Sequence, residues 1–81
     1  GGWKNGNTML HYTALVYLLD KLFRKGYKIR TSCLLSNKKA FRFIRSVGFV
    51  NHYTSENYHY FWLPYKRFIN TNIYKRIMSN K

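Results

Sequence analysis

Acidic residues are almost absent from this sequence: Asp20 and Glu56 are the only two among 81 residues, against 15 lysines and arginines. The formal net charge of +13 exceeds the ~2–8 that suits a small soluble domain. Such a charge repels itself unless an anionic partner lies nearby. We therefore expect a nucleic acid, another polyanion or an acidic protein as partner; the alternative is a solvated basic surface without a dedicated partner.

Cysteine and long hydrophobic runs are also scarce. A single cysteine, Cys33, excludes an internal disulfide and fits a reducing compartment. The apolar run from Ala14 to Leu19 is far shorter than the ~20 residues of a membrane-spanning helix. Neither a signal peptide nor a lipidation motif is recognisable. We expect a protein that is not secreted, has no membrane partner and works in the cytoplasm or a similar reducing environment.

Apolar and aromatic residues, by contrast, are plentiful, at 46% and 20% of the chain. This composition is typical of folded rather than disordered chains. The length allows one small domain, which buries only about 60% of its unfolded surface. Because the first residue is Gly1 and not Met, we expect a processed product or a piece of a longer protein.

The first half of the chain predicts a helix and then a strand. Asn7 or Thr8 can cap a helix to about Lys25, and Gly26 can end it. The helix is indicated by apolar residues at three- and four-residue spacing, namely Leu15, Leu18, Leu19, Leu22 and Phe23. Residues 27–35 alternate like a strand, except that Leu34 interrupts the polar face, which predicts burial on both faces near the strand's end.

The second half predicts a helix, a hairpin and a tail. Ser36 or Asn37 can cap a helix over residues 38–47, which Gly48 ends. Residues 49–54 and 58–63 then form the hairpin strands, and Pro64 closes the second. The tail has apolar residues enough for one short amphipathic helix. Together these elements predict a mixed α/β sheet whose first strand has a free edge, and we expect that edge to pair with another segment or subunit.

The stretch from Ser36 to Phe49 resembles the N-x-x-A…G-F segment of the GCN5-related N-acetyltransferases, the GNAT family. The matching residues are Asn37, Ala40, Gly48 and Phe49. Upstream, Gly6 occupies the first glycine of the family's Q/R-x-x-G-x-G/A turn, while Trp3 and Thr8 depart from it. The resemblance implies a GNAT-like mixed sheet without its N-terminal strands: residues 1–65 would be the C-terminal, cofactor-binding half, and residues 66–81 a basic tail.

The resemblance also implies acetyl-CoA as cofactor. The glycine turn would hold the pyrophosphate, with Lys4, Asn5, Gly6, Asn7 and Thr8 as its candidate residues. Asn37, Ala40 and Phe41 would contact the pantetheine and adenosine side of the cofactor. The exposed cations of the second helix can meet phosphates of the cofactor or of another polyanion; these are Lys38, Lys39, Arg42 and Arg45.

Catalytic residues stay unassigned. The family often carries a tyrosine that protonates the leaving thiolate, but Ile44 stands at that position. The family's usual general base lies on strands before the glycine turn, ahead of Gly1. Asp20 neighbours Lys21 and Arg24 and is better interpreted as an ion-pair partner, while Glu56 falls in a hairpin turn. We therefore expect a catalytically weak or degenerate acetyltransferase-like domain, with Tyr53, Tyr58 and Tyr60 as the remaining candidate acids.

A narrower resemblance and a rival function complete the interpretation. Short acetyltransferase-like proteins of tailed phages are similar in having Gly6 and Asn37 followed by the Arg42 to Ile44 run and Gly48, which implies a virion-associated location near DNA. The rival is a basic nucleic-acid-binding or structural virion protein without a cofactor. Residues 58–62, all aromatic or histidine, can stack bases, although such alternation is more typical of a strand that is half core and half surface. The three histidines lack metal-ligand spacing.

Overall fold

The computed structural model describes the backbone of residues 5–79 and the side chains of residues 10–79. The elements in chain order are α1 (Asn5–Arg24), β1 (Arg30–Leu34), α2 (Lys38–Ser46), β2 (Val50–Thr54), β3 (Tyr58–Trp62), α3 (Tyr65–Ile69) and α4 (Asn72–Ser79). The predicted α/β class and the order helix, strand, helix, hairpin are confirmed. The tail differs from the prediction because it forms two helices instead of one.

The three strands form an open sheet in the order β1-β3-β2. Both pairings are antiparallel, with Arg30 opposite Trp62 in one and Val50 opposite Trp62 in the other. The predicted mixed sheet is therefore not seen among residues 5–79. The β2–β3 ladder shifts register between Asn51 and Tyr53, so that His52 forms a bulge in an edge strand.

All four helices contribute to one core against a single face of the sheet. From the sheet, Phe61 and Cys33 are buried, and the Phe41 ring of α2 lies 5.6 Å from that of Phe61. The buried hydrophobic residues are Val16, Leu19, Cys33, Ile44, Val47, Phe49, Phe61, Leu63, Phe68 and Ile77. Because Phe68 and Ile77 belong to this set, the C-terminal segment packs into the same core as the rest. The shortest principal dimension, 18 Å, fits two layers.

The second face of the sheet has no covering layer among the described residues. Residues that alternate with the core positions point to this side, and we call it the open face. It consists of Arg30, Ser32, Leu34, Val50, His52, Tyr53, Tyr58, Tyr60 and Trp62. Leu34 is 47% exposed, so the prediction that it is buried on both faces is wrong: within residues 5–79 no helix packs on its side.

Two glycines end helices as predicted, each with a positive φ. Gly26 has φ +86° after α1, and its amide donates to the carbonyl of Phe23 at 2.9 Å. Gly48 has φ +110° after α2, and its amide donates to the carbonyl of Arg45 at 3.0 Å. Glycine adopts such conformations without steric cost, and both chain reversals therefore depend on it.

Candidate cofactor site and open sheet face

Asn37 joins the edge strand β1 to α2 and caps the helix as predicted. Its Oδ1 accepts a hydrogen bond from the amide of Ala40 at 3.0 Å, and its carbonyl accepts one from the amide of Phe41 at 3.1 Å. Its own amide donates to the carbonyl of Leu34 at 3.0 Å. These bonds fix the turn between strand and helix.

The surface around this cap combines apolar and cationic side chains. Leu34 and Leu35 are 47% and 38% exposed at the end of β1. Lys38 and Lys39 begin α2 and are exposed. The Ala40 amide is occupied by the Asn37 cap and the Lys38 amide donates to the carbonyl of Ser36 at 3.1 Å, so the start of α2 offers mainly the partial positive charge of a helix amino terminus. A ligand with an apolar arm and phosphates fits this combination.

The outer edge of β1 supplies backbone hydrogen-bonding groups. On the inner side, the amide of Leu63 donates to the carbonyl of Ile29, and the amide of Leu35 donates to that of Asn57, both at 3.0 Å. Backbone groups alternate sides along an antiparallel strand, so Ser32 directs its amide and carbonyl to the opposite edge. No strand pairs there among the described residues.

Ala40 and Phe41 lie on the side of α2 that packs on the sheet. Both are partly buried, and the Phe41 ring lies 4.8 Å from the His59 ring. Their packing holds α2 against β3, so the cap residue and the lysines carry more of the accessible surface than these two predicted contact residues.

The structure has a helix at most of the positions where the glycine turn was predicted, so that prediction is wrong for residues 5–8. Lys4 is outside the described residues, and α1 begins at Asn5. Gly6, Asn7 and Thr8 belong to the first turns of α1, so the prediction that Asn7 or Thr8 caps this helix is wrong. The side chains of residues 5–9 fall outside the described set.

The four predicted polyanion-binding residues share the solvent side of α2. Lys38, Lys39, Arg42 and Arg45 are all exposed. Asp20, one of the two acidic residues, forms an ion pair within α1, where its Oδ2 lies 2.9 Å from Arg24 Nε. Asp20 is thus an ion-pair partner, as predicted, and leaves the charge of α2 uncompensated.

The candidate acids lie on the sheet and not on α2, and one of them, Tyr58, stands opposite Leu34 near the α2 cap. Ile44 is buried in the core. Tyr53, Tyr58 and Tyr60 lie on the open face and are exposed. Burial raises the pKa of the Tyr74 phenol, and the carboxylate of Asp20 adds to the effect.

The open face brings together the aromatic residues that alternate along β3. Tyr58, Tyr60 and Trp62 point outward while Phe61 is fully buried, which confirms the half-core, half-surface interpretation. Tyr53 joins them from β2, with its ring 5.7 Å from that of Tyr60. The sequence did not indicate this neighbour, because the bulge at His52 sets its register. The Thr54 hydroxyl and His59 Nδ1 lie 3.0 Å apart on the other face.

A groove of about 620 Å³ lies between α1, the end of α2 and α4. Its lining includes Tyr12, Ser46 and Arg76 and shares no residue with the predicted cofactor set. Among the described residues, no group of three histidine, cysteine or acidic side chains is placed to hold a metal ion.

Comparisons with family models, curated proteins and solved structures returned no significant match. Within the described part of the chain, no helix combines the length and apolar character needed to cross a membrane.

Proposed function

We propose that this chain is the cofactor-binding part of an acetyltransferase-like protein and holds acyl-CoA at the junction of β1 and α2. The observation that carries the proposal is the Asn37 cap, which stands between an unpaired strand edge and two exposed lysines. The helix–strand–helix–hairpin order, expected from the GNAT resemblance, supports it. A virion-associated location, as in the similar phage proteins, is part of the same proposal.

Each part of the cofactor has a complementary group in this region. The pantetheine arm contains two amides, which can pair with the free backbone groups of β1 in the manner of an added strand. Leu34 and Leu35 offer apolar surface beside that edge. The phosphates can approach Lys38 and Lys39 at the helix amino terminus.

Chemistry at this site would be weak. With Ile44 buried in the core, the position that the resemblance assigns to a general acid has no proton to give. A positioned general acid typically contributes about 10²–10⁴-fold to the rate. We therefore propose binding without efficient acetyl transfer.

Acetyl-CoA at a hundredfold excess over its Kd should stabilise the folded chain by about 2.7 kcal/mol. At roughly 4–8 °C per kcal/mol for a domain of this size, a thermal melt detects the shift easily. Asn37→Ser should lower the shift while retaining a helix cap, since serine caps about as well as asparagine. Lys38→Gln with Lys39→Gln should lower it further.

Two measurements distinguish acetyl-CoA binding at the proposed site from a general attraction of anions to the basic chain. Inorganic pyrophosphate, which lacks the pantetheine arm, should stabilise the protein less than acetyl-CoA at equal concentration. A flat calorimetric titration of the folded chain with acetyl-CoA would reject the proposed site.

We propose polyanion binding by α2 as a second candidate function, because its four exposed cations have no carboxylate partner among the described contacts. Affinity for duplex DNA should fall with salt at a log–log slope of about −0.9 for each phosphate neutralised. Replacing Lys38, Lys39, Arg42 and Arg45 by glutamine should reduce the slope by up to about 3.6, which is four times 0.9. Filter binding at several salt concentrations measures it, and an unchanged slope would contradict this role of α2.

A further inference from the structure

The open face carries four large aromatic side chains that are exposed among the described residues. Tyr53, Tyr58, Tyr60 and Trp62 are 60%, 41%, 37% and 45% exposed. The three tyrosine rings form a continuous group, with centroids 5.7 Å apart for Tyr53 and Tyr60 and 6.2 Å apart for Tyr58 and Tyr60, and Trp62 follows Tyr60 by two residues on the same face. Contiguous exposed apolar patches of this kind mark interaction sites.

Positive charge borders these rings. Arg30 lies opposite Trp62 in the β1–β3 register. Together with His52 it lines two grooves of about 480 and 450 Å³, the first containing Trp62 and the second Tyr53 and Tyr60. The three strands contain no aspartate or glutamate; Glu56 lies in the turn between β2 and β3. An occupant of this face therefore meets aromatic rings and cations without a carboxylate among them.

We propose that the open face binds single-stranded nucleic acid, with bases stacked on the rings of Tyr60, Trp62 and their neighbours and the phosphates facing Arg30. Aromatic side chains stack every base, whatever the sequence, and RNA-binding sheets hold about two or three bases in this way. The guanidinium group of Arg30 can pair with a phosphate or stack on a base.

The charge argues against a second copy of this chain as the occupant, because two copies of +13 each repel one another. This site lies on the face of the sheet opposite α2. Leu34 borders both this face and the proposed acyl-CoA site, but none of the stacking rings belongs to that site or to the exposed cations of α2.

Fluorescence anisotropy of the full chain with labelled oligothymidine and oligouridine of about 12 nucleotides, at about 50 mM salt, tests the proposal. Tyr60→Ala and Trp62→Ala should each weaken binding by about 5- to 100-fold. Tyr60→Phe retains the ring and should bind within about twofold of the unmodified protein. Tyr17→Ala removes a ring of similar exposure, 39%, from α1 and should leave affinity unchanged.

An abasic oligonucleotide of equal length keeps every phosphate and removes every base. It should bind at least about tenfold more weakly than the intact strand. The α2 glutamine variant changes only the opposite side of the molecule and should leave the ratio of the two affinities unchanged.

Three results would overturn the proposal: equal affinity for intact and abasic strands, absence of binding to the intact strands, or a dimer in sedimentation that Tyr60→Ala dissociates. The comparison of intact and abasic oligonucleotides uses the unmodified protein, so it tests the proposal even if Tyr60→Ala does not fold. A preference for oligothymidine or oligouridine would distinguish DNA from RNA as the ligand.

Discussion

Phe61→Ala should unfold most of the protein at room temperature, whereas Trp62→Ala, one residue further along β3, should leave it folded. The Phe61 side chain is fully buried and contacts Phe41 of α2, and truncating a buried phenylalanine costs about 3–5 kcal/mol. A core of this size rarely supplies more than ~3–5 kcal/mol. Trp62 is 45% exposed, and its loss should cost about 1 kcal/mol or less.

Urea titration followed by far-ultraviolet circular dichroism measures both free energies of unfolding. The adjacent substitutions act on opposite faces of the same strand, so their difference reports how many faces of the sheet are covered. Similar losses for the two variants would show that a second layer covers the open face in solution and would contradict the two-layer fold.

Gly48→Ala should destabilise the protein far more than Gly26→Ala, although both glycines have a positive φ. A Cβ at Gly48 would lie 3.2 Å from the backbone carbonyl carbon and oxygen of Arg67 and 3.1 Å from Thr71 Cγ2. Backbone strain of ~1–3 kcal/mol and overpacking of ~1–3 kcal/mol add to roughly 2–6 kcal/mol. A Cβ at Gly26 meets nothing within 4 Å, which leaves about 1–2 kcal/mol of conformational cost.

Thermal melts of the two alanine variants compare these costs, at roughly 4–8 °C per kcal/mol. Gly26→Ala is the matched control, because it changes the same residue type in a similar conformation without the contact. Equal melting temperatures would mean that the turn after α2 does not press against α3 as described.

Local signals in the sequence predicted the end of α1 and both ends of α2, but not the start of α1, which begins at Asn5 and not after Asn7 or Thr8. Asn37 accepts the hydrogen bond of a cap, and Gly26 and Gly48 end their helices with positive φ, because each feature depends on a few neighbouring residues. The break between α3 and α4 has a local signal too, which the prediction of a single tail helix missed. The Thr71 hydroxyl accepts from the amide of Tyr74 at 3.2 Å, so Thr71 caps a new helix.

Features that depend on tertiary packing were not predictable from the chain alone. Alternation along β3 separated Phe61 from Tyr60 and Trp62, but which set meets the core depends on the side that the helices occupy. The burial of Leu34 was predicted wrongly for the same reason: its side chain is exposed because no described element packs on its face of the sheet. The α2 cap could be predicted from Asn37, whereas the partner of Tyr53 depends on a bulge that no residue pattern marks.

The bulge at His52 makes the two borders of the sheet unequal. A bulge bends and twists its strand, and it interrupts the regular row of amides and carbonyls that another chain would need as a template. The edge formed by β2 is therefore a poor template for adding another strand. β1 pairs in register over all five residues and has no such interruption. If the sheet grows at all, it grows from β1, and a protein concentrated to the point of fibril formation should begin its fibrils there.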